Sequence, residues 1–151
     1  MLQLFCLAKG IYYNPGFHNY NIICLEKNIK PGDFCSATFT GYDPDTNTFT
    51  VQTIPDQNPK IRHIPAKFSN GRYEFAIKLE IIREPVVMFY HAELGAVGFG
   101  EKMKPLVPPI KTFAFAAVTY HPEARSERNQ KQNRLLVKKI VSQLEMLDGF
   151  V

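Results

Sequence analysis

The sequence predicts a mainly-β fold: a single-domain barrel or two-layer sandwich of about seven to nine short strands, followed by a long amphipathic C-terminal helix. Three observations carry this. Apolar residues alternate with polar ones through Arg72–Ile82, turn-forming residues recur throughout, and the apolar period lengthens near the C-terminus. Eleven prolines and nine glycines break the chain too often for a helical bundle. At 151 residues and 45% hydrophobic content, the chain has the length of one domain with a real core. The expected organisation is a single domain over 1–151, with a β-rich body at 1–120 and a helix at 122–147.

In the Arg72–Ile82 strand, Tyr73, Phe75, Ile77, Leu79 and Ile81 share one face, and Arg72, Glu74, Lys78 and Glu80 the other. Cys35 to Gly41 repeats the alternation with Cys35, Ala37 and Phe39 inward. Thr48 to Thr53 answers it with Phe49 and Val51. Tyr42-Asp43-Pro44-Asp45-Thr46-Asn47 between them is turn-forming, so the pair reads as a β-hairpin. Val86 to His91 is apolar on both faces, as in a central strand or one at a subunit interface. Thr112 to Tyr120 sets Phe113, Phe115 and Ala117 against the small Ala114, Ala116 and Val118. Weaker strands are expected within Leu2–Tyr13, Tyr20–Glu26, Lys60–Pro65 and Ala96–Gly100. Pro105, Pro108 and Pro109 make Glu101–Ile110 a loop. No internal repeat is visible.

The predicted helix rests on Leu136, Ile140, Leu144 and Leu147, spaced four, four and three. Pro122 suits a first turn and Gly149 a stop. Between Arg125 and Lys139 stand Arg125, Arg128, Lys131, Arg134, Lys138 and Lys139 against Glu127, a local charge of +5. The whole chain is +4, so the rest is nearly neutral. Basicity concentrated in one segment points to an anionic partner or an acidic subunit surface.

Known motifs fit poorly. Gly95-Ala96-Val97-Gly98-Phe99-Gly100-Glu101-Lys102 lacks the Lys-Ser/Thr pair of a phosphate-binding loop and reads as a bent strand or turn. Asp43-x-Asp45-x-Asn47 lacks the glycine and glutamate of a calcium loop, since Thr48 and Ile54 stand there. The scattered His18, His63, His91 and His121 include no metal-binding pair. His91 and Glu93 at a strand end are the one candidate acid–base pair. Cys6, Cys24 and Cys35 lie in apolar contexts where cysteine packs as a small hydrophobe, and their odd number favours a reducing, cytoplasmic compartment. No apolar run is long enough to cross a membrane as a helix, and no basic n-region marks a signal peptide. No cofactor, metal or membrane partner is expected.

The leading functional expectation is a non-enzymatic nucleic-acid-binding protein, with single strands preferred. Arg125, Arg128, Lys131, Arg134 and Lys138 would contact phosphates. Tyr12, Tyr13, Phe17, Tyr20 and Tyr42, near turns, are the candidate stacking residues. The alternative is a structural subunit of a viral or other assembly, with a homo-oligomer among its expected forms, using the helix and strand 86–91 as interfaces and an acidic neighbour for the basic face. A weaker alternative is a barrel around an apolar small molecule. The layout of a small β-barrel with a C-terminal helix resembles that of OB-type subunits, a likeness of layout that implies no activity.

Overall fold

The computed structural model describes residues 2–24, 29–54, 63–84, 87–100, 112–120, 135–141 and 149–151. The chain divides into two compact units, Met1–Ile64 and Pro65–Val151, where the sequence alone reads as one domain. Among the described residues, strands and one short 3-10 turn make up the regular structure, with no α-helix.

The first unit is a closed five-stranded barrel of β1 (Leu2–Ala8), β2 (Ile11–Tyr13), β3 (Asn21–Ile23), β4 (Phe34–Asp43) and β5 (Thr48–Ile54). Around the barrel the order is β1-β2-β3-β5-β4, and β4 closes on β1. Every pairing is antiparallel except β3 with β5. The interior holds Leu4, Cys6, Tyr12, Ile22, Cys24, Ala37 and Val51. Apart from Tyr12 these are small and medium side chains, as the limited interior of a narrow barrel requires. The predicted 35–53 hairpin is therefore present as β4 and β5.

The second unit contains β6 (Ala66–Ser69), β7 (Arg72–Ile82), β8 (Met88–His91), β9 (Gly95–Phe99), β10 (Phe113–Tyr120) and β11 (Leu135–Val141). Here β7-β8-β9-β11-β10 closes through the β10–β7 pairing, with β9 and β11 parallel. This repeats the connectivity of the first barrel strand for strand, although no sequence repeat announces it. β6 is an added strand on β7, and the Val151 amide and carbonyl pair with Ala66 on its other side. β7 has the predicted bounds, with Phe75, Ile77, Leu79 and Ile81 buried. The small residues of β10 point inward, because Ala114, Ala116 and Val118 lie opposite Leu79, Ile77 and Phe75. Phe113 and Phe115 face outward, where the Lys78 ammonium lies 5.0 Å from the Phe113 ring centroid.

The C-terminal helix is not present over Leu135–Val141, which is the fifth strand of the second barrel. The registers Val118↔Val137 and Ala117↔Lys139 leave Lys138 as the extra residue of a β-bulge. Inward positions thus fall at Leu135, Val137 and Ile140, spaced two and then three. The bulge puts Leu136, opposite Thr119, and Ile140, opposite Ala116, on different faces, so the four-residue spacing of the predicted stripe does not mark one face of this strand. Residues 122–134 and 142–147 of the predicted helix lie outside the described residues, as does the Glu101–Ile110 loop.

Candidate nucleic-acid interface

Each unit carries one surface that gathers binding chemistry. In the first, β4 is exposed from Thr38 to Asp43. Phe39 lies opposite Val51 and Tyr42 opposite Phe49, with Thr40 the extra residue of a bulge between them. Without the bulge, residues 39 and 42 would point to opposite faces. With it, both join the face that Val51 carries into the core.

Phe17 and Tyr20 reach this face from the β2–β3 connection. The 3-10 turn Pro15–Phe17 is capped by Asn14, whose side-chain oxygen accepts the Gly16 N–H at 2.8 Å while its amide donates to the Gln3 carbonyl at 2.7 Å. Phe49 is the hub of the resulting cluster. Its ring centroid is 4.5 Å from Tyr42, 4.7 Å from Phe39, 5.0 Å from Tyr20 and 5.6 Å from Phe17. Phe39 and Tyr42 remain 42% and 48% exposed, leaving aromatic surface for a planar partner. A cleft of about 280 Å³ lies beside Phe17 and Phe39, lined also by Leu2, Ala37 and Thr38.

The β4–β5 turn steadies Tyr42. Its hydroxyl donates to Asn47 Oδ1 at 2.8 Å, and the Asn47 amide donates to the Asn19 carbonyl at 3.0 Å. Asn47 adopts φ 55°, a left-handed conformation that asparagine tolerates. The Asp43 carboxylate accepts from the Asp45 N–H and the Thr46 hydroxyl. Both of its oxygens thus serve the turn, in keeping with the hairpin reading of the Asp43-x-Asp45-x-Asn47 pattern. Among the described residues no group of His, Cys, Asp and Glu is arranged to hold a metal.

In the second unit, a cleft of about 400 Å³ is lined by Ser69, Asn70, Arg72, Glu74, Gly100, Thr119, Leu136, Val137 and Lys138. Asn70 and Gly71, with φ 54° and 79°, form the two-residue turn joining β6 to β7. Glu74 is only 5% exposed, and one of its carboxylate oxygens is paired with the Lys138 ammonium. The bulge at Lys138 places that side chain beside Glu74 on β7, across β10. The pair partly offsets the cost of burying the carboxylate. Thr119 and Leu136 adjoin Tyr120 and Leu135, the described residues on either side of 121–134.

Of the predicted phosphate contacts, Lys138 is described, and it is 45% exposed at its side chain despite the pairing with Glu74. Arg125, Arg128, Lys131 and Arg134 lie outside the described residues. Of the predicted stacking residues, Phe17, Tyr20 and Tyr42 converge in the aromatic cluster, whereas Tyr12 and Tyr13 are buried. Phe39 and Phe49, expected on inward faces, belong to the cluster as well. Gly41 inside a strand is the sequence signal that could have exposed the bulge and Phe39 with it. Arg72 and Glu74 were missed because outward polar residues on a strand ordinarily face solvent. His91 Nδ1 accepts the N–H groups of Glu93 and Leu94 at 3.1 and 3.3 Å, so the imidazole caps the β8–β9 turn.

The cyclic order first-second-third-fifth-fourth, with third and fifth strands parallel, is the connectivity of the OB fold, a five-stranded Greek-key barrel. Both units have it, so the chain is a tandem of OB-type barrels by connectivity. No family model, no curated protein and no solved structure matches the chain.

Proposed function

We propose that the protein is a non-enzymatic, single-stranded nucleic-acid-binding protein built from two OB-type barrels. The observation that carries this reading is where the basic segment falls. Residues 121–134 join the fourth and fifth strands of the second barrel, and that loop is one of the places where OB barrels engage oligonucleotides. Arg125, Arg128, Lys131 and Arg134 in the connection, with Lys138 just beyond it, are the phosphate contacts. The division of charge supports the same reading. Pro65–Val151 holds 13 basic and 9 acidic residues, whereas Met1–Ile64 holds 5 of each. The first barrel contributes exposed aromatic surface on which bases stack.

Cys6, Cys24 and Cys35 form no disulfide among the described residues and the first two are buried, which suits a reducing intracellular compartment. Among the described residues no helix is long and apolar enough to cross a membrane. The test is charge reversal: Arg128→Glu, Lys131→Glu and Arg134→Glu together should abolish binding of a labelled oligonucleotide with the circular dichroism spectrum unchanged. Normal binding by the folded triple variant would remove the basic connection from the site.

A second reading, an assembly subunit, has its own observation. On the outer face of the second barrel, Tyr90 and Phe113 flank Glu80 on neighbouring strands, with Met88 nearby, and all three apolar side chains are exposed. Such a row suits a subunit contact. Phe113→Ser would then shift the mass measured by light scattering from oligomer to monomer, and a monomeric native protein would refute this reading.

A further inference from the structure

The exposed apolar row on the second barrel has two charges set into it, and their placement defines a partner. We propose that this face is a two-fold contact between two copies of the chain, an inference that rests on the assembly reading above. Three adjacent strands build it. On β7, Lys78, Glu80 and Ile82 point outward, because Ile77, Leu79 and Ile81 are buried. The registers set Phe115 beside Lys78, Phe113 and Tyr90 on either side of Glu80, and Met88 beside Ile82. Apolar side chains thus surround one cation and one anion, with Met88, Tyr90 and Phe113 exposed.

Glu80 takes no hydrogen bond or ion pair among the described residues, and no carboxylate meets Lys78 there. The Lys78 ammonium lies over the Phe113 and Phe115 rings, 5.0 and 5.9 Å from their centroids, a contact that leaves its N–H donors open. With one charge of each sign the face is neutral, so it favours neither an anionic strand nor a basic peptide. What it matches is itself. A two-fold axis lying in the contact and crossing β7 at Leu79 runs the partner's β7 antiparallel over this one. Lys78 of each copy then meets the partner's Glu80, and Phe113 of each lies over the partner's Phe115. A parallel arrangement would set lysine on lysine and glutamate on glutamate. The apolar side chains supply the buried area, and the two ion pairs fix the register.

The experiment reverses each charge separately and measures mass by light scattering. The native chain should have the mass of two copies. Lys78→Glu and Glu80→Lys each bring like charges together on both sides of the axis, so each variant alone should have the mass of one copy. Mixed in equal amounts, the two variants restore both opposite pairs and should return to the mass of two. Single variants that stay dimeric, or a mixture that stays monomeric, would overturn the two-fold arrangement and leave the assembly reading standing. A monomeric native chain would overturn both. Should either variant not fold, native protein refolded from unlabelled and nitrogen-15-labelled chains is coupled with a carbodiimide, which joins an amine to a carboxylate in direct contact. A Lys78–Glu80 link of mixed isotope, found by mass spectrometry, supports the contact, and its absence overturns it.

Discussion

Cys6 shows how far a barrel interior can alter a single side chain. Burial, reinforced by the neighbouring Cys35 and Asp33, pushes its thiol up from 9.0 to about 12. The folded state therefore favours the neutral thiol, whereas the unfolded chain ionises near its ordinary value. The resulting stabilisation is complete below about pH 9 and is lost as pH rises toward 12. Cys6 should resist a thiol reagent at pH 8 in the native protein and react at once in denaturant, as mass spectrometry of the labelled peptide would show. Gly32 is constrained by the backbone instead. Its φ is 97°, and a Cβ there would stand 2.1 Å from the Ile64 carbonyl oxygen, so Gly32→Ala should destabilise the first unit by more than about 2 kcal/mol in urea denaturation. Neither effect is legible in the sequence, because both depend on residues distant along the chain. What is legible at this scale is strict alternation: Phe75, Ile77, Leu79 and Ile81 are all where period two puts them.

At the scale of elements, two bulges account for the main departures from the sequence expectation. The run Leu135-Leu136-Val137-Lys138-Lys139-Ile140-Val141 is apolar on both sides of two lysines, so it shows no polar–apolar alternation, and Lys138 is the inserted residue of the bulge. Val137, Ile140 and Val141 are β-branched and favour a strand, a preference that outweighs the weak periodic signal. If Ile140 faces the barrel interior opposite Ala116, Ile140→Asp should cost about 2–3 kcal/mol in chemical denaturation, and an unchanged midpoint would show the bulge to be misplaced. In β4, deletion of Thr40 should remove the bulge yet leave Phe39 and Tyr42 two positions apart, on one face opposite Val51 and Phe49. The near-ultraviolet tyrosine signal should therefore survive in the deletion variant, and its loss would contradict this pairing. The hairpin around Asp43–Asn47 was readable because its turn residues act locally. β6 could have been placed from Asn70-Gly71, which is a strong two-residue hairpin signal.

At the scale of the whole molecule, the duplicated connectivity accounts for a strand number beyond one five-stranded barrel. A β-rich composition was legible, but a repeated topology without repeated sequence was not, since barrel closure depends on pairings such as β4 with β1 and β10 with β7. The basic segment was legible as charge, but its position in the chain between β10 and β11 was not, and of its basic residues Lys138 and Lys139, on a strand, lie among the described residues. The most direct test of the central claim is the salt dependence of binding to a labelled single-stranded oligonucleotide. If Arg125, Arg128, Lys131, Arg134 and Lys138 each neutralise a phosphate, log K should fall with log salt at a slope of about −3.5. Binding that ignores salt, or its absence at low salt, would contradict the account.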